Sequence, residues 1–124
     1  MKPILTLILL FNVALSSVAQ TPVMTDMKAS IAGKSEGAIT RKELLNAKGL
    51  TADKAGYRIT EFKMTVVNSN GPNEFTGANG KLTKAMRNAI QLASPHAKVY
   101  FEYIKCIDKK GNSHLASPIS IELK

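Results

Sequence analysis

Apolar and polar residues alternate with a period of two along several stretches of this chain. The last third, Tyr100 to Leu123, has the pattern of a β-hairpin. An apolar strand leads into a charged turn at Lys109-Lys110-Gly111-Asn112, and a returning strand places Ile119, Ile121 and Leu123 on one face. Pro118 lies within that returning strand; proline donates nothing to a ladder, so this point belongs to an edge or a bulge. Met27, Ala29 and Ile31 alternate with Lys28 and Ser30, which predicts a first strand over 23–31. Tyr57 to Val67 predicts a long strand with an interruption, since Tyr57 and Ile59 share one parity and Phe62, Met64 and Val66 the other. A bulge near Thr60-Glu61 would return both sets to the core. Val99 and Phe101 against Ile104 and Cys106 repeat the switch. Either both strands bend through bulges, as in sandwiches and barrels, or both of their faces are partly buried.

Two stretches have helical spacing. Thr40 followed three residues later by Glu43 is a capping box; Leu44 and Leu45 supply the buried side of a short helix, and Gly49 a C-terminal cap. Lys81 to Ala93 predicts the principal helix, with Leu82, Met86, Ala89, Ile90 and Ala93 on one stripe and Ser94-Pro95 as its stop. Its other face carries Lys81, Lys84, Arg87, Asn88 and Gln91 without an acidic residue. Asn68 to Gly80, dense in Asn and Gly, reads as a long exposed loop. Phe75 within it is either a plug against the body or an exposed contact. The predicted fold is therefore mainly β with added helices, on the border of α+β: a small antiparallel sandwich with one principal and one short helix.

The first nineteen residues change the picture of where this domain works. Lys2 gives a positive start, Ile4 to Phe11 is nearly all apolar, and Ser17-Val18-Ala19 supplies the small residues of a cleavage site. This is the pattern of a secretory signal peptide, and Asn12, Ser16 and Ser17 break the apolar run short of the ~20 residues a membrane span needs. Cleavage after Ala19 leaves Gln20 to Lys124 as a single domain without a membrane span, expected in the periplasm or outside the cell. The one cysteine, Cys106, cannot form an internal disulfide. Between Ile104 and Ile107 it reads as a small core hydrophobe in preference to a reactive thiol.

The 124-residue chain carries 17 basic and 9 acidic residues, a formal charge of +8, which favours an acidic partner or an anionic surface. Nucleic acid is not expected, because the destination is exported and closely spaced arginines with aromatic interleaving are absent. His96 and His114, the two histidines, lack partners at metal-ligand spacing, so no metal or cofactor is predicted. No GxSxG turn is present. Glu61 and Glu102 lie on predicted strands and are expected to pair with Lys63 or Lys105 in place of forming a glycosidase dyad. No catalytic residue is assigned. Lys81, Lys84, Arg87, Asn88 and Phe75 are the candidate interaction surface, with a solvated helix face as the plainer alternative. A second reading is an envelope glycan or surface binder, for peptidoglycan or lipopolysaccharide, using Tyr57, Tyr100 or Tyr103 as an aromatic platform.

With these segments in order, the chain resembles the C-terminal domain of the gliding-motility protein GldM, called PorM in related systems, of the Bacteroidetes type IX secretion machinery. The resemblance runs through KASIAGKSEGAITRKELLNAKGLTA, YRITEFKMTVV, the Asn/Gly stretch, LTKAMRNAI and KVYFEYIKCIDKKGNSHLASPISIEL, from Lys28 to Leu123. It implies an immunoglobulin-like β-sandwich with added helices, acting as a non-enzymatic protein-interaction module in the periplasm. It also implies type IX secretion components as partners, and homodimers, because larger members of the family self-associate. Those members carry a transmembrane helix and preceding periplasmic domains. Here a single domain follows a cleavable signal, so a free periplasmic adaptor, a regulator or an unrelated reuse of the domain is expected in place of direct coupling to an inner-membrane motor.

Overall fold

The computed structural model describes residues 23–124, and the leader expected over 1–19 lies outside them. The elements follow in the order β1 (Val23–Ile31), β2 (Glu36–Ile39), α1 (Arg41–Asn46), β3 (Leu50–Ala52), β4 (Arg58–Asn68), β5 (Gly71–Ala78), α2 (Lys84–Leu92), β6 (Lys98–Ile107), β7 (Ser113–Ser117) and β8 (Ile119–Leu123). The mainly β expectation holds, and the arrangement is that of a small β-sandwich with two helices.

β6 is the central strand. β4 pairs along one side of it, while β7 and β8 share the other side end to end. β7 leads on to β1 and β3, and β8 to β2. The β1–β7 and β2–β8 pairs are parallel, so the sheet is mixed where a purely antiparallel one was expected. Alternation reports which face a residue takes, not the direction of a distant neighbour, and these pairs join the two ends of the chain.

Both predicted face switches are register shifts between β4 and β6. Ile59 opposes Cys106, yet Glu61 opposes Lys105, which makes Thr60 an extra residue on β4. Lys63 then opposes Glu102, so the compensating extra residue lies on β6. There Tyr103 takes a left-handed backbone, φ 49°, which costs a non-glycine residue about 1–2 kcal/mol. Thr60 Oγ1 donates to the Lys105 carbonyl at 3.3 Å and ties the bulged segment down. On the far side of β6 the ladder breaks at Pro118, between β7 and β8, as the proline required. A crease thus crosses three neighbouring strands. Ile59, Phe62, Met64 and Val66 all reach the core from β4, and Val99, Phe101, Ile104 and Cys106 from β6. Phe62 and Phe101 meet there with ring centroids 6.0 Å apart. Cys106 is fully buried, and burial pushes its thiol pKa up, in keeping with a core role.

The loop expected over 68–80 is in fact strand β5, paired with β4 from Asn68↔Gly71 to Glu61↔Ala78. Among the described residues it pairs on that side alone, so it is an edge strand whose polar side chains face water. Phe75 is half-buried against the core, the plug reading of that residue. Gly77 owes its place to packing: a Cβ there would lie 2.5 Å from Phe62 Cζ and 3.0 Å from Met86 Cε. Glycine in an Asn/Gly run suggests turn chemistry, whereas here it makes room for a ring.

The β6–β7 turn is held by Asp108. Its Oδ1 accepts from the Lys110 and Asn112 amides, both at 2.9 Å, and its Oδ2 lies 2.9 Å from His114 Nε2. The His114 hydrogen bond, then the Asn112 amide, holds the Asp108 carboxyl at about 2, below its ordinary 3.8. A lowered folded-state pKa stabilises the fold above the unfolded value, and that contribution fades as pH falls from near 4 towards 2. Thermal melts across this window should therefore show an acid-induced drop that Asp108→Asn reduces. Equal drops in both proteins would mean that the turn staple contributes nothing.

Candidate functional site

The two helices cap one another. Thr40 opens α1 as a full capping box: its Oγ1 accepts from the Glu43 amide at 3.1 Å, and Glu43 Oε1 accepts in return from the Thr40 amide. Thr83 opens α2 in the same way, accepting from the Met86 amide at 3.2 Å while Met86 Sδ accepts from the Thr83 amide. The principal helix therefore starts at Lys84, three residues later than its apolar spacing suggested. Neither helix has a basic residue in its last turn, where unpaired carbonyls and the negative dipole end collect. Each arginine serves the other helix. Arg87 of α2 donates to the Leu45 carbonyl at 2.6 Å and the Ala47 carbonyl at 3.2 Å. Arg41 of α1 donates to the Ala93 carbonyl at 2.8 Å and more weakly to Gln91.

This exchange divides the five candidate residues. Arg87 is withdrawn from the outer face as a structural clamp. Lys84 and Asn88 remain exposed on α2, beside Leu92, whose side chain is 83% exposed. Phe75 is half-buried in β5. Lys81 precedes the helix and forms a β-bridge from the opposite side of a groove, with Gly49 as its partner.

That groove, about 420 Å³, is a second feature that spacing did not reveal. It is lined by Gly33, Lys48, Gly49, Asn79, Gly80 and Lys81 among others, with no carboxylate in the lining. Its floor is a close backbone crossing. The Leu50 amide donates to the Gly80 carbonyl at 2.7 Å, and a Cβ on Gly49 would stand 2.3 Å from that same oxygen. Gly49 was expected to cap the short helix, yet Ala47 ends it and Gly49 permits this crossing. Lys48 joins Lys81 at the site only because β3 crosses the segment after β5. Local sequence holds no trace of that.

The other candidate chemistry settles into surface pairing. Glu61 lies 4.0 Å from Lys105, and Lys63 pairs with Glu74 at 3.0 Å while opposing Glu102 across the ladder. His96 lies 3.7 Å from Glu122, and among the described residues no three metal-binding side chains cluster. Tyr57 is half-buried against His114, centroids 5.2 Å apart, and Tyr100 is half-buried. Tyr103 is 66% exposed, with Lys63 Nζ 5.7 Å from its ring centroid. Among the described residues no helix is long and apolar enough to cross a membrane.

If the mutual clamp holds the helix pair, Arg87→Met and Arg41→Met should each lower stability in urea by about 1.5–3 kcal/mol, the range for hydrogen bonds that involve a charged group. An unchanged denaturation midpoint in either variant would show that its carbonyls are satisfied equally well by water. The family model for the GldM C-terminal domain matches this chain over residues 21–124. No curated protein matches it.

Proposed function

The chain belongs to the GldM C-terminal domain family, and from that premise we propose that it is a non-enzymatic protein-interaction module of the periplasm, serving gliding motility and type IX secretion. The family match along residues 21–124 is the observation that carries this reading. The signal-peptide pattern of residues 1–19 supports export to the periplasm. The arrangement of charge supports a docking role. Acidic side chains are largely occupied within the domain: Glu43 in a helix cap, Asp53 on the Lys28 amide, Asp108 in its turn, and Glu61 and Glu74 on lysines. Lys48, Lys81 and Lys84 form no ion pair among the described residues and face solvent in one region. The partner is accordingly an envelope protein of the secretion machinery, and the domain also self-associates as larger family members do. The exposed ring of Tyr103 favours the second reading, an envelope-glycan binder, over Tyr57 or Tyr100 as its platform.

Affinity capture from envelope extract separates the two readings. The native chain should retain type IX secretion components, and Lys84→Glu should lose most of them at an unchanged melting temperature. Arg87 is left intact because its loss would loosen the helix pair. Retention on purified peptidoglycan or lipopolysaccharide, abolished by Tyr103→Ala and with no protein recovered, would replace the adaptor reading with the glycan one.

A further inference from the structure

The groove at β3 combines three properties. Two reversing turns form its walls. Ala32-Gly33 closes a tight hairpin in which Ile31 and Lys34 exchange both backbone hydrogen bonds, at 2.9 and 3.0 Å. Asn79-Gly80 forms the other wall, and its residues also take left-handed backbones, φ 51° and 77°. Ala32 holds φ 52° although it has a Cβ, a conformation that persists only where its surroundings impose it. Between these walls Gly49 brings two backbones together at Gly80, flanked by the small or short side chains of Ala47 and Thr51 and by Leu50. The rim carries the ammonium groups of Lys48 and Lys81, both exposed and unpaired among the described residues, and the lining holds no carboxylate.

We propose that this groove docks an acidic, extended peptide segment of the partner protein, with two carboxylates spaced to meet Lys48 and Lys81. The inference rests on the protein-interaction reading and adds the place and the chemistry of recognition. Charge complementarity selects an acidic ligand. The concave site between two backbone turns, with glycine backbone at its centre, suits an extended chain better than a flat lipid surface. Lys84, three residues on at the start of α2, is also exposed and extends the basic track beyond the groove.

The test titrates the purified protein with a short fluorescein-labelled peptide of alternating Glu and Thr, read by anisotropy. The Gln-for-Glu peptide and phosphatidylglycerol vesicles serve as comparison probes. Binding should saturate and weaken as salt is raised. It should fall about tenfold or more in the Lys48→Glu, Lys81→Glu double variant. Amide shifts in the labelled protein should concentrate at Gly33, Gly49 and Gly80. The double variant should melt like the native protein, because neither lysine side chain forms an ion pair among the described residues. Equal binding of the Glu and Gln peptides, shifts confined to the Tyr103 face, or preference for the vesicles would each overturn the proposal. Undiminished capture of the envelope partner by the double variant would also overturn it while leaving the adaptor reading intact.

Discussion

Residue Thr60 on β4 and residue Tyr103 on β6 are each one more than a regular ladder holds, and the two insertions cancel across the pair. Without them, Ile59 and Cys106 would face water if Phe62 and Phe101 faced the core, because a single step in register exchanges the faces of a strand. With them, one pair of strands contributes to the core on both sides of a crease. Pro118 continues the break where β7 gives way to β8. The cost is a tyrosine held in a left-handed backbone. Burial of Ile59, Ile104 and Cys106 offsets it, since a fully buried aliphatic side chain contributes about 1.5–3 kcal/mol.

Everything outside the crease is arranged by what it leaves open. β3, held by β1, meets the segment that follows β5, where Leu50 bonds to Gly80. That contact makes the groove. It also fixes the approach to α2, whose helix then lies where Arg87 can reach the end of α1 and Arg41 can reach the end of α2. Two short helices, neither stable alone in water, are thereby locked to one another and held against Phe62 and Gly77 through Met86. What stays outside is a lysine-bearing surface that the domain itself does not neutralise.

Much of the fold was legible because alternation reports burial directly. The first strand, the two interrupted strands, Pro118 and the capping box at Thr40 all follow from local pattern, and the bulge falls at the residues where parity changed. β5 was not legible. An edge strand with a single half-buried side chain, Phe75, carries no alternating signal, and its glycines mimic a loop. The parallel pairings were also hidden, since face says nothing about direction. The candidate surface was half legible: an acid-free helix face is visible in Lys84 and Asn88. The role of Arg87 needed the distant carbonyls of Leu45 and Ala47, and Lys48 entered only through the crossing of β3.

The most direct test of the account is amide hydrogen exchange of the protein alone and bound to its captured envelope partner. Exchange should slow over residues 47–51 and 79–88, where groove and helix face adjoin. The strands flanking Tyr103 should be unchanged. Protection centred on 102–104 and 115–118 instead would contradict it and move the binding surface to the outer side of the crease.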